Sequence, residues 1–135
     1  MSHYQGSCLC GGIRFEIDGK IKSILNCHCT DCRKAHGAAF RTRGAVEPSN
    51  FQFLSGEDLL TRYEHKPGEF RSFCRVCGSN IATFFSDPSI PIGVVIASLD
   101  TELETGPTMH VFVSDKAEWY PITDDLPQFQ ELPPK

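Results

Sequence analysis

No stretch of the 135-residue chain holds the roughly 18–20 consecutive apolar residues that a membrane-spanning helix requires. The N-terminus, MSHYQGSCLCGG, has no basic segment running into a long apolar one, which argues against a secretory leader. An excess of positive charge is missing too. With 13 Lys+Arg against 17 Asp+Glu the formal net charge is −4, which argues against nucleic acid as a general partner. Repeats, low-complexity tracts and long Pro/Gly/Ser linkers are absent, so one domain spanning 1–135 is expected. No segment keeps a 3.6-residue apolar period for three turns, which excludes a helical bundle. A Gly-rich phosphate loop, a serine nucleophile elbow and a dinucleotide fingerprint are all lacking. The remaining expectation is a cytoplasmic protein, neither membrane-bound nor exported, whose fold is mostly β.

What is present begins with seven cysteines, an odd number that cannot pair completely within one chain. They fall into close groups: Cys8 and Cys10; Cys27, Cys29 and Cys32; Cys74 and Cys77. A disulfide framework spreads its cysteines to staple distant loops, whereas close pairs suit metal ligation. Zinc takes four ligands in a closed structural shell and three, with one position open, in a catalytic one. Cys74-Arg75-Val76-Cys77-Gly78 is a knuckle in which a tight turn brings two thiolates to one ion, and Gly78 permits the backbone that follows. Cys8 and Cys10 supply the second pair, which leaves Cys27, Cys29 and Cys32 for an open site. Two zinc ions per chain are therefore expected. A swap of pairs between the sites and an iron–sulfur cluster on four thiolates are the alternatives.

A divalent zinc with three thiolates carries a formal charge of about −1, so it acidifies water less than a histidine-bound zinc would. A soft fourth ligand suits it better, and a substrate thiol is one. Residues 1–80 carry a net +3 and residues 81–135 a net −7, so the tri-cysteine group lies in the basic part. Arg33, Lys34 and Arg41, with His36 and Arg43, follow it closely and are candidates to hold the carboxylates of an anionic thiol; a solvated basic face is the plainer alternative. His28 lies between two ligands and is a candidate fourth ligand or proton carrier, although adjacent residues rarely bind one ion. Asp31 is a candidate helix cap. His110 sits in an apolar strand, where a core histidine with satisfied nitrogens is the plainer reading than a base.

Strands are expected over 13–17, 21–25, 38–42, 51–54, 59–65, 69–74, 80–85, 92–97 and 109–113, with a short helix over 31–36. Asp18-Gly19 is read as the turn of a hairpin joining the first two strands, and the tail from Asp124 as an irregular surface strap.

GSCLCGGIRFEI at 6–17, CHCTDCRKAHGAAF at 27–40 and FCRVCGSNI at 73–81 resemble the glutathione-dependent formaldehyde-activating enzyme family, which also contains centromere protein V. The likeness extends through Leu99-Asp100, Pro107, His110-Val111-Phe112, Trp119 and Asp125-Leu126-Pro127-Phe129. The resemblance implies a β-tent of stacked antiparallel sheets with a structural zinc on Cys8, Cys10, Cys74 and Cys77 and a catalytic zinc on Cys27, Cys29 and Cys32. It also implies a carbon–sulfur lyase that adds a thiol such as glutathione to a small aldehyde, or the reverse. The alternatives are a non-catalytic zinc module that binds a protein or nucleic acid and a thiol-based sensor of metals or electrophiles.

Overall fold

The computed structural model describes residues 2–134. The chain is mostly β, as its alternating segments predict. Its residues separate into two compact units, one of 2–22 with 44–104 and one of 23–43 with 105–134.

The first unit contains β1 (His3–Ser7), β2 (Arg14–Asp18), β5 (Phe51–Ser55), β6 (Leu60–Lys66), β7 (Glu69–Cys74), β8 (Asn80–Phe85) and β9 (Ile92–Val95). One sheet has the order β1-β2-β5, both pairs antiparallel. The order β9-β8-β7-β6 makes an antiparallel meander. The two sheets pack through their inward residues. Phe15, Ile17, Val46, Ile81 and Val94 are fully buried, with Phe51, Phe53 and Phe84 against them. Phe15 stacks on Phe51 at 5.1 Å, and Phe51 meets Phe53 and Phe84 edge-on. Strand periodicity explains the arrangement, since every second residue of β2 faces this core.

The second unit holds β3 (Lys22–Cys27), α1 (Thr30–His36) and β10 (His110–Val111). β4 (Arg41–Val46) carries the chain from this unit to the first. β10 pairs in parallel with β3, setting His110 beside Asn26 and Val111 beside Cys27. That pair departs from the all-antiparallel expectation. The C-terminal strap is irregular, as expected, but it is tied down: His110 N–H donates to Pro127 O, and Phe129 N–H to His110 O.

Three local expectations are corrected. β2 and β3 do not form a hairpin, because β2 pairs with β1 and β5 while β3 pairs with β10. β4 begins later than expected and runs through Gly44 to Val46. The cap of α1 is Cys29, whose Sγ accepts from Cys32 N–H at 3.3 Å, and Asp31 lies in the first turn instead.

Candidate metal centres

Cys8, Cys10, Cys74 and Cys77 come together in the first unit with their sulfurs all within 4.8 Å of one another. Cys8 Sγ lies 3.5 Å from Cys10 Sγ, and Cys10 Sγ lies 3.9 Å from Cys74 Sγ. A regular tetrahedron with Zn–S bonds of about 2.3 Å has sulfur edges of about 3.8 Å, so this spacing fits zinc.

Backbone amides brace the thiols. Ile13 N–H donates to Cys8 Sγ at 3.2 Å, and the turn after Cys74 closes with Gly78 N–H on Cys74 O at 2.7 Å. Gly78 has φ +79°, the left-handed conformation expected of it. Ser79 joins the two knuckles: its Oγ accepts from Leu9 N–H at 2.8 Å and lies 3.3 Å from Cys77 Sγ. Hydrogen bonds from Ser79 and from backbone amides push the Cys77 thiol down to about 5, which favours the thiolate that a cation needs. Nothing in the residue pattern singled out Ser79, whose role depends on the folded meeting of the two knuckles.

Cys27, Cys29 and Cys32 form the other cluster, in the second unit, also with all sulfurs within 4.8 Å. Cys27 ends β3, Cys29 caps α1 and Cys32 lies in its first turn, so the strand end and the helix start converge on one point. Cys27 and Cys32 are buried, whereas Cys29 is partly exposed. Leu25 and Val111 surround the thiols, with Met109, Phe112 and Phe129 packed alongside. Phe112 sits at φ +55°, a conformation that a bulky residue adopts only at a cost of about 1–3 kcal/mol.

The neighbouring Cys29 and Cys32 thiols, together with burial, hold Cys27 far above the ordinary thiol range. Cys27 draws Cys29 down, but Cys32 and burial reverse this and leave Cys29 raised. Three thiols this close cannot all ionise unless a cation neutralises them, which is the donor chemistry of a metal site.

No histidine nitrogen joins either cluster among the described residues. His28 is fully buried and engages His110 instead, with Nε2 lying 2.8 Å from His110 Nδ1. His110 Nε2 in turn meets Asp124 at 3.0 and 3.1 Å from the two carboxylate oxygens. On the sequence alone the two histidines were separate candidates and Asp124 only part of the strap.

The basic candidates are dispersed. Arg33 and Lys34 lie in the last turn of α1, with Arg33 Nη2 3.5 Å from Thr30 Oγ1, and Lys34 is exposed. Arg41 is buried at the start of β4.

A mostly-β fold with one cluster of four thiols and another of three defines a class of small proteins whose cysteine groups could hold metal ions. The sequence model of the glutathione-dependent formaldehyde-activating enzyme family matches residues 3–115, and the chain belongs to that family. Its fold resembles the crystal structure of a Rhodobacter sphaeroides protein, a structural-genomics target, with a TM-score of 0.62 and 22% sequence identity. The likeness covers 76% of this chain and 97% of that one.

Proposed function

We propose that the chain is a carbon–sulfur lyase that joins a thiol such as glutathione to a small aldehyde such as formaldehyde, or reverses that reaction. The observation that carries this reading is the three-cysteine cluster, one ligand short of a closed zinc shell and partly exposed at Cys29. Membership of the family supports the substrates. Cys27, Cys29 and Cys32 would hold the catalytic zinc, and Cys8, Cys10, Cys74 and Cys77 a structural one. Zinc held there would supply a Lewis acid that favours the thiolate form of an incoming thiol at neutral pH.

The remaining contributions belong to the chain's own residues. Of the basic candidates, Arg33 and Lys34 at the end of α1, rather than the buried Arg41, would hold the carboxylates of an anionic thiol and orient its sulfur. Met109, Phe112 and Phe129 limit water around the thiols. In the forward direction a carbon–sulfur bond forms, the carbonyl π bond breaks, and the thiol proton passes to the oxygen; nothing is oxidised or reduced. A reducing cytoplasm would keep the seven thiols available.

No helix among the described residues is long and apolar enough to cross a membrane. Exchange spectroscopy on glutathione and formaldehyde tests the reading. Exchange into S-hydroxymethylglutathione should rise with zinc-loaded protein and fall to the uncatalysed rate for Cys29→Ser. One inert zinc and no acceleration with any thiol and aldehyde would favour the non-catalytic module.

A further inference from the structure

The hydrogen-bonded row His28–His110–Asp124 reaches from the surface to the backbone of the three-cysteine cluster. The side chain of Asp124 is 48% exposed, His110 is 2% exposed and His28 is fully buried. β3 and β10 build the row. Their parallel register sets His110 opposite Asn26, and His28 N–H donates to Val111 O at 3.0 Å, which places His28 alongside β10 just past the end of β3. Phe40 covers both rings, at 5.0 Å from His28 and 6.3 Å from His110, and Tyr120 packs edge-on against Phe40 at 5.6 Å. One aromatic ring, Phe40, thus covers both imidazoles and is itself backed by Tyr120.

The geometry of the row constrains which nitrogens can donate. The hydrogen bond from His110 holds the Asp124 carboxyl below its ordinary range, so it is ionised and only accepts. His110 Nε2 must therefore donate to it. His110 Nδ1 and His28 Nε2 share the next hydrogen bond, and the last nitrogen, His28 Nδ1, is buried with no hydrogen-bond partner among the described residues.

We propose that His110 and Asp124 are positioning residues for the three-cysteine centre, fixing the ring of His28 and, through it, the backbone on either side that carries Cys27 and Cys29. This rests on reading that cluster as a metal centre. His28 is the residue between Cys27 and Cys29, and its ring and its backbone N–H are both held by β10, so a shift of His28 toward or away from that strand displaces both thiols together. The row anchors that ring as a carboxylate anchors a metal-bound imidazole, except that here the anchored histidine neighbours the ligands instead of being one. Among the described residues the four-cysteine cluster has no such row: its bracing comes from Ser79 and backbone amides.

The test is cobalt titration of the full chain, reading thiolate-to-cobalt absorption and competition with a chelator, alongside nitrogen NMR of the zinc-loaded protein at pH 8. The wild type should take two cobalt ions, and its His110 Nε2 should report a protonated nitrogen. His110→Phe, which keeps the ring but neither hydrogen bond, and Asp124→Ala should weaken the second ion about 10–100-fold and alter its absorption, with the first ion unchanged. Asp124→Asn, which keeps an acceptor oxygen, should cost less than about tenfold.

Asp124 is half exposed, so its variants stay informative even where His110→Phe folds poorly. Wild-type affinity and spectrum at the second ion in Asp124→Ala would overturn the proposal, as would a loss of stability with both affinities unchanged. A wild type that binds a single cobalt would overturn the metal-centre reading, and the proposal with it; the wild-type titration alone distinguishes that failure.

Discussion

The seven thiols divide between two surroundings built on different principles. In the first unit four thiols close on one another, braced by Ile13 N–H and Ser79, and Cys77 is already inclined to ionise. In the second unit three thiols sit at a strand end and a helix cap, with Cys27 and Cys29 both resisting ionisation and a row of imidazoles behind them. On the proposed function, the first cluster would keep a cation and the second would be completed by a substrate thiol. Two groups with identical donor atoms thus differ in ligand number and in the groups hydrogen-bonded around them, the two features by which proteins tune a metal site.

The sharpest way to break the comparison is to remove one thiol from each cluster. Cys74→Ser should forfeit the first zinc and unfold the chain, a loss on the order of 10 kcal/mol where structural zinc is part of the fold. Cys29→Ser should leave a folded protein with one zinc fewer. Circular-dichroism melting with elemental mass spectrometry checks both, and equal unfolding by the two would erase the distinction.

A backbone change in the first unit comes next. Gly56 has φ +77°, and a Cβ there would run into the backbone carbonyl of Gly12. Gly56→Ala should cost roughly 2–4 kcal/mol through strain and overpacking, read as a lowered denaturant midpoint. Cobalt affinity at the three-cysteine cluster should not move.

Ser79→Ala tests the bracing directly. Its lost hydrogen bonds should cost about 1 kcal/mol. The pH dependence follows from Cys77, whose folded value of about 5 lies below its ordinary 9.0. The stabilisation from this group is complete above about pH 9 and disappears as pH falls through about 5. Without Ser79 the Cys77 thiol rises, so acid should release the first metal at a higher pH in the variant than in the wild type.

The smallest effect concerns Phe112, beside the second cluster. Phe112→Gly and Phe112→Ala both lose the ring, but only glycine relieves φ +55°. The glycine variant should be the more stable by about 1 kcal/mol, the reverse of the usual order at negative φ. Paired melting curves decide it.

Much of this was legible in the sequence because its signals were local. β6, β7 and β8 lie within a residue of the alternating segments that mark them, and the cysteine spacing anticipated both clusters. β1 gave no such signal: of its residues only Tyr4 is a large buried apolar group, and Gly6 occupies the other inward position, where a Cβ would meet the ring of Phe15. Asp18-Gly19 is a sound turn, but β3 buries four residues in succession, Ile24 to Cys27, which suits neither a half-exposed hairpin nor pairing with the alternating β2. The imidazole row was illegible for a different reason. His28 and His110 are separated by 82 positions, and only the parallel pairing of β3 and β10 brings them together.

The central claim is that the two clusters hold zinc differently, one closed and one open to a thiol. Zinc per chain, measured by elemental mass spectrometry with and without one equivalent of glutathione and a mild chelator, tests it most directly. The account predicts two zinc ions, one inert and one labile, with the labile one altered by glutathione. A single inert zinc indifferent to the thiol, or two that respond identically, would contradict it.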